Sequence, residues 1–228
     1  MIACLGDSIT VGIPGFSYFR YLEGREKYRN LGVGGDTLLG LSKKVDKFLV
    51  ESSCKDIIIQ IGTNDILLPF LKQRSRVWEK IIYRLNLRGS IPITNVETFI
   101  EKYEILINKI LGYKIKVISI PCIGENIKSK LNKKVDIYNM AIYNLCKEYN
   151  IKYIDFNKWQ KELIRQSDIE SEYIISEYFI KIITDTILTT YLGFSKQISK
   201  KRKLVVTVDG VHLNKIGGKG LAKLITTE

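Results

Sequence analysis

Two short stretches carry residue types that can do chemistry together. Near the start the chain reads Cys4-Leu5-Gly6-Asp7-Ser8-Ile9-Thr10-Val11-Gly12. Near the end it reads Val208-Asp209-Gly210-Val211-His212-Leu213-Asn214, which holds the single histidine of the 228 residues. A serine hydroxyl is a weak nucleophile until a base takes its proton, and imidazole is the side chain that does this near neutral pH. Asp209, three residues before His212, can accept from the other ring nitrogen and fix the tautomer. The chemistry such a set would perform is acyl transfer through Ser8. A developing oxyanion also needs donors, and the backbone N–H groups of Ser8 and Gly35 with the side-chain amide of Asn64 are candidates. Each piece alone has an ordinary structural reading: Gly-Asp-Ser is a common turn, Gly34-Gly35 a loop, Asn64-Asp65 a helix cap and a lone histidine a core residue.

The elements that must position these residues alternate. Strands are expected at Met1–Leu5, Tyr28–Val33, Asp56–Ile61, Lys114–Pro121 and Ile151–Phe156, nearly apolar throughout. Between them, apolar residues recur at helical spacing in Thr37–Glu51 (Leu38, Leu41, Val45, Phe48, Leu49), Asn95–Leu111 and Lys130–Tyr149. Lys215–Thr227 reads as a terminal helix entered through Gly217-Gly218, and Asn95 as a helix cap. Strands of this kind alternating with amphipathic helices predict a parallel sheet covered on both faces. Sites in such sheets gather at the carboxyl ends of the strands. Ser8 follows the first strand, Gly35 the second, Asn64 the third, and His212 lies beyond the fifth, so all are expected at one edge.

In these four blocks the chain resembles the SGNH hydrolases, also called GDSL esterases or lipases. Gly6-Asp7-Ser8-Ile9-Thr10 matches the nucleophile block, and Asn30-Leu31-Gly32-Val33-Gly34-Gly35-Asp36-Thr37 resembles the second, with Gly35 as its oxyanion glycine. Gly62-Thr63-Asn64-Asp65 matches the third and Asp209-Gly210-Val211-His212-Leu213-Asn214 the last. The resemblance implies an α/β fold, a three-layer α/β/α sandwich on a mainly five-stranded, flavodoxin-like parallel sheet. It further implies a catalytic triad of Ser8, His212 and Asp209, an oxyanion hole of Ser8, Gly35 and Asn64, and metal-free ester hydrolysis through an acyl-enzyme. Gly-Asp-Ser-Ile is the form common in the branch resembling lysophospholipases and carbohydrate acetylesterases, so lysophospholipid, another acyl ester and an acetylated sugar are candidate substrates. An acyltransferase on the same scaffold and a binding module with an occluded site are the other classes considered.

Two stretches look like insertions in one domain spanning 1–228. The first, about 67–93, interleaves Lys72, Arg74, Arg76, Lys80, Arg84 and Arg88 with Trp78, Ile81, Ile82 and Leu85. It reads first as a solvated helix packed on the body and second as a basic lid for an anionic substrate. The second, about 159–203, carries Ile169, Tyr173, Ile174, Tyr178, Ile182 and Ile183 and ends in Lys200-Lys201-Arg202-Lys203. A cap over an acyl chain, a dimer interface and an extension of the core compete for it, and its charge run reads as a solvated loop that could also touch membrane lipid.

With 36 Lys+Arg against 24 Asp+Glu the net charge is +12, which admits an anionic partner, though no nucleic-acid motif accompanies it and AT-rich coding bias explains it as well. A hydrophobic content of 45% and the lack of a run near the ~20 residues that span a bilayer place the chain among globular proteins. The N-terminus has no signal-peptide pattern, so a cytoplasmic enzyme is expected. Cys4, Cys54, Cys122 and Cys146 are widely spaced and read as buried thiols, and with one histidine a metal site is hard to assemble. No cofactor is expected.

Overall fold

The structure, a computed structural model, describes residues 1–51 and 54–227, with the side chains of residues 49–51, Leu49 among them, outside the described residues. Among the described residues, strands β1 (Ile2–Gly6), β2 (Tyr28–Gly32), β3 (Asp56–Gln60), β4 (Lys114–Ile118) and β5 (Lys152–Ile154) form one sheet. All neighbours are parallel, in the order β2-β1-β3-β4-β5, the flavodoxin-like order with a switch point beside β1. Gly6 pairs with both Gly32 and Gln60, so β1, β2 and β3 end level. The segments that follow them therefore leave the sheet at one edge.

Period-two alternation sorts the strand side chains into two buried layers. Ala3, Leu5, Ile57, Ile59, Ile115 and Val117 point into the larger core, whereas Cys4, Ile58, Ile118 and Ile154 point into the smaller one. The chain also forms helices α1 (Ser8–Val11), α2 (Leu38–Glu51), α3 (Thr63–Arg74), α4 (Arg76–Leu87), α5 (Val96–Lys109), α6 (Lys130–Glu148), α7 (Phe156–Gln166), α8 (Phe179–Thr186), α9 (Ser195–Lys201) and α10 (Lys215–Thr227). Leu38, Leu41 and Val45 of α2, Phe99 and Leu106 of α5, and Val135 and Ile142 of α6 close the larger core. Ile9 of α1, Phe156 of α7, and Leu221 and Ile225 of α10 close the smaller. The result is the three-layer α/β/α sandwich.

Element boundaries differ from expectation where a side chain caps the next helix. The fifth strand stops at Ile154 because the Asp155 carboxylate accepts the Lys158 N–H at 3.0 Å, which draws Phe156 into α7. Trp159 thus lies inside a helix of the body: its ring stacks on Phe156 and abuts Gly220 of α10. Asn95 caps α5 through the Thr98 N–H. Leu67 lies within α3, which already starts at Thr63, so Asn64 and the first insertion share a helix. The four cysteines are free and buried. Among the described residues no helix is long and apolar enough to cross a membrane.

Alanine is favoured over glycine within a helix by about 1 kcal/mol, yet a Cβ on Gly220 would lie 2.1 Å from Trp159 Cη2. Gly220→Ala is therefore expected to lower stability by roughly 1–3 kcal/mol through overpacking, read as a lower urea midpoint. A raised midpoint would refute the close helix approach.

Candidate active site

Ser8 leaves β1 on the first turn of α1, fixed by Asp7, whose Oδ1 accepts the Ile9 N–H at 2.9 Å. His212 arrives from the far end of the chain on a pinched hairpin. Thr207 bridges Leu213 in antiparallel fashion, and the Val208 N–H donates to the His212 carbonyl at 2.8 Å. At the tip, Gly210 has φ +83°, and a Cβ there would meet the Tyr173 carbonyl oxygen at 2.2 Å, so only glycine fits the turn.

The fold brings the expected residues together across 204 positions of sequence. His212 Nε2 lies 3.0 Å from Ser8 Oγ, and His212 Nδ1 lies 2.7 Å from Asp209 Oδ2. A carboxylate can only accept, so the ring proton belongs on Nδ1 and Nε2 faces the serine as an acceptor. Asp209 Oδ1 also accepts the N–H groups of Val211 (3.1 Å) and His212 (2.8 Å), which locks carboxylate and ring into one unit.

Charge is distributed unevenly around this unit. Burial disfavours an ionised Asp209, but the His212 ring and the backbone N–H groups outweigh it and hold the carboxyl below its usual range. Burial likewise disfavours a cationic His212, but Asp209 foremost, with Asp7 behind it, lifts the ring above its ordinary 6.5. Asp7 lies beneath Ser8 with its carboxyl pushed up to about 6 by burial, against the hydrogen bonds of Ile9, Thr63 and Gln60.

Gly35 and Asn64 stand beside Ser8 in the wall of one cavity. The Asn64 side-chain amide donates to the Asp36 carbonyl at 2.8 Å, so the second and third blocks are tied directly. Asp36 is fixed in turn by the Ser90 hydroxyl and the Lys44 ammonium, each at 2.7 Å. Asp65 accepts the Leu38 and Ile93 N–H groups at 3.0 and 2.9 Å. Burial raises its carboxyl to about 7 despite those two bonds. Gly35 has φ +77°, and Leu85 of α4 lies 2.7 Å from where its Cβ would be, so the first insertion closes directly on this loop.

The cavity measures about 340 Å³. Leu67, Leu68 and Leu71 of α3, Trp78, Ile81 and Leu85 of α4, and Ile175 and Ile182 form its apolar wall. The insertions meet above it: the Trp78 indole N–H donates to the Ser176 carbonyl at 3.0 Å, and Arg74 pairs with Glu177 at 2.7 Å. Among the described residues no group of three or more His, Cys, Asp or Glu side chains could hold a metal ion.

Two residues that sequence reasoning missed hold the Asp209–His212 loop. Buried Glu125 accepts from the N–H groups of Val205, Val206 and Thr207 and from the Thr207 hydroxyl; burial raises its pKa against these bonds. A signal existed, since Gly124-Glu125 follows the fourth strand as the other blocks follow theirs. Arg202, read above as part of a charge run, instead donates to the Val208 carbonyl at 2.8 Å, pairs with Asp185 at 2.6 Å and stacks on Tyr173.

A single histidine makes its titration directly visible by NMR. The His212 ring is expected to titrate above 6.5, and lower in Asp209→Asn, where burial is opposed by Asp7 alone. An unchanged pKa in that variant would refute the coupling. Glu125→Ala leaves three buried donors and the part-buried Val205 N–H without their acceptor, each buried one worth about 1–3 kcal/mol. With relaxation, the expected loss is roughly 3 kcal/mol or more in a denaturant melt, and a loss under about 1 kcal/mol would show that the loop holds itself.

The sequence model of the GDSL-like lipase/acylhydrolase family matches residues 4–176. No curated protein matches the chain. Similar solved structures include an acetyl xylan esterase at 17% identity and TM-score 0.68, covering 100% of this chain and 98% of that one. An acetylxylan esterase from Geobacillus stearothermophilus aligns at 15% identity and TM-score 0.64, over 99% and 92% of the two chains. A GDSL-like lipase from Bacteroides thetaiotaomicron VPI-5482 aligns at 15% and 0.60, over 99% and 85%. At such identities the likeness is one of fold. The family match spans most of the sequence, and the chain belongs to the GDSL-like lipase/acylhydrolase family, a family of ester-bond hydrolases.

Proposed function

We propose that the protein hydrolyses carboxylic esters of medium acyl length through a covalent intermediate on Ser8. Ser8 Oγ attacks the carbonyl carbon as its proton passes to His212 Nε2. The oxyanion is met by the N–H groups of Ser8 and Gly35 and by the Asn64 amide proton not engaged with Asp36. Collapse breaks the bond to the alcohol oxygen, which takes the proton from His212, leaving the acyl group on Ser8. Water then repeats the cycle with His212 as base, releasing the acid and restoring the serine. Asp209 orients the ring and stabilises its transient charge.

The observation that carries this reading is the contact series Asp209–His212–Ser8 opening into an apolar cavity. A methylene needs roughly the volume share of a water, about 30 Å³. A cavity of about 340 Å³ therefore has room for roughly ten such groups, well beyond an acetyl. The acetyl xylan esterases of similar fold favour a second reading, an O-acetylesterase, which would use that space for the sugar.

Initial rates on p-nitrophenyl esters from acetate to palmitate separate the two. Each buried methylene contributes up to about 0.8 kcal/mol, so kcat/KM is expected to rise from acetate to octanoate, by at most about 3,000-fold, and to fall beyond decanoate. Ser8→Ala is expected to lower turnover by about 10³-fold or more. An acetate optimum would select the second reading, and full turnover in Ser8→Ala would overturn both.

A further inference from the structure

The second insertion presents a surface that the site does not use. One side of α8 faces inward, where Ile182, Asp185 and Thr186 line the cavity. The opposite side carries Ile180, Ile183 and Ile187, continued by Tyr191 on a π-helical turn over Ile187–Tyr191, and these are 76%, 42%, 44% and 68% exposed. Tyr178, Phe179, Leu192 and Phe194 are exposed beside them. No residue of α8 is buried. A contiguous apolar surface of this kind marks an interaction site.

Its charge says what the partner is. Residues 178–203 contain Lys181, Lys196, Lys200, Lys201, Arg202 and Lys203 against the single acid Asp185, and Arg202 already neutralises that acid. The five lysines are exposed, and α9, which bears three of them, lies against the π-helical turn. A helix with exposed isoleucines and aromatics, flanked by lysines and with its one acid already paired to Arg202, has the make-up of an element that lies in an anionic lipid interface.

We propose that α8, the π-helical turn and α9 dock the protein on an anionic lipid surface. The isoleucines and aromatics enter the headgroup boundary while the lysines meet lipid phosphates. The docked helix is also a wall of the cavity, so docking brings the cavity that holds Ser8 beside the bilayer that would supply an acyl ester. Delivery of that ester rests on the function proposed for Ser8, whereas the docking itself does not.

Co-sedimentation of the full chain with vesicles tests this. Ser8→Ala protein is expected to bind vesicles of equimolar phosphatidylcholine and phosphatidylglycerol. Binding should weaken steeply between 0.1 and 0.5 M salt as screening shortens, and should vanish on phosphatidylcholine alone. Replacing Lys196, Lys200, Lys201 and Lys203 by Gln should weaken binding by roughly fivefold per lysine. Ile180→Ser with Ile183→Ser should weaken it at least tenfold while leaving hydrolysis of a water-soluble ester within twofold of the unmodified protein. No binding to anionic vesicles, or binding indifferent to salt, overturns the docking. So does a dimer that Ile180→Ser with Ile183→Ser dissolves and that binds no vesicle. Binding by a protein whose Ser8→Ala form turns over esters as before would sink the catalytic reading alone.

Discussion

His212 stands between Asp209 at 2.7 Å and Ser8 at 3.0 Å, and holding that ring against both partners is the constraint the rest of the fold serves. A proton transfer within this contact tolerates little misplacement, since small displacements cost large factors in rate. The two sides of the contact come from opposite ends of the chain, and each is secured separately. On the Ser8 side, the pairing of Gly6 with Gly32 and Gln60 levels three strand ends. On the His212 side, Glu125 gathers three consecutive N–H groups and Arg202 holds the carbonyl just before Asp209. A buried carboxylate and a guanidinium do here what a strand would do elsewhere, because among the described residues the loop pairs with no strand of the sheet.

The same anchors join the site to its cover. Arg202 touches the Asp209 loop with one arm and Asp185 of α8 with the other. Trp78 and Arg74 link the first insertion to the second through Ser176 and Glu177. Leu85 meets Gly35 in the cavity wall beside Ser8. Cover and Asp209–His212 loop therefore share side chains. The wall they share through Leu67, Leu71 and Ile182 is apolar and offers no hydrogen bond to replace water.

Much of this was legible in the sequence, for physical reasons that also explain the rest. Apolar strands with period-two sorting and helices such as Leu38–Glu51 announce themselves through burial alone. Ser8 and Asn64 were visible because they follow strand ends, and His212 with Asp209 because the histidine had no competitor. Glu125 was not seen because its place after the fourth strand is its one local signal, and its partners lie some 80 positions away in sequence. Arg202 was hidden inside Lys200-Lys201-Arg202-Lys203, where only three dimensions separate the paired guanidinium from its exposed neighbours. The fifth strand was expected to reach Phe156, because Asp155 capping competes with an apolar run that by itself reads as strand.

The most direct test of the central claim is intact-mass analysis after brief exposure to an activated alkyl phosphonate ester, followed by peptide mapping. The account predicts one adduct per chain, located on Ser8, forming at least about 100-fold more slowly in His212→Ala, since an unassisted serine is a weak nucleophile. An adduct on another residue, or one that forms on Ser8 equally fast without His212, would contradict it.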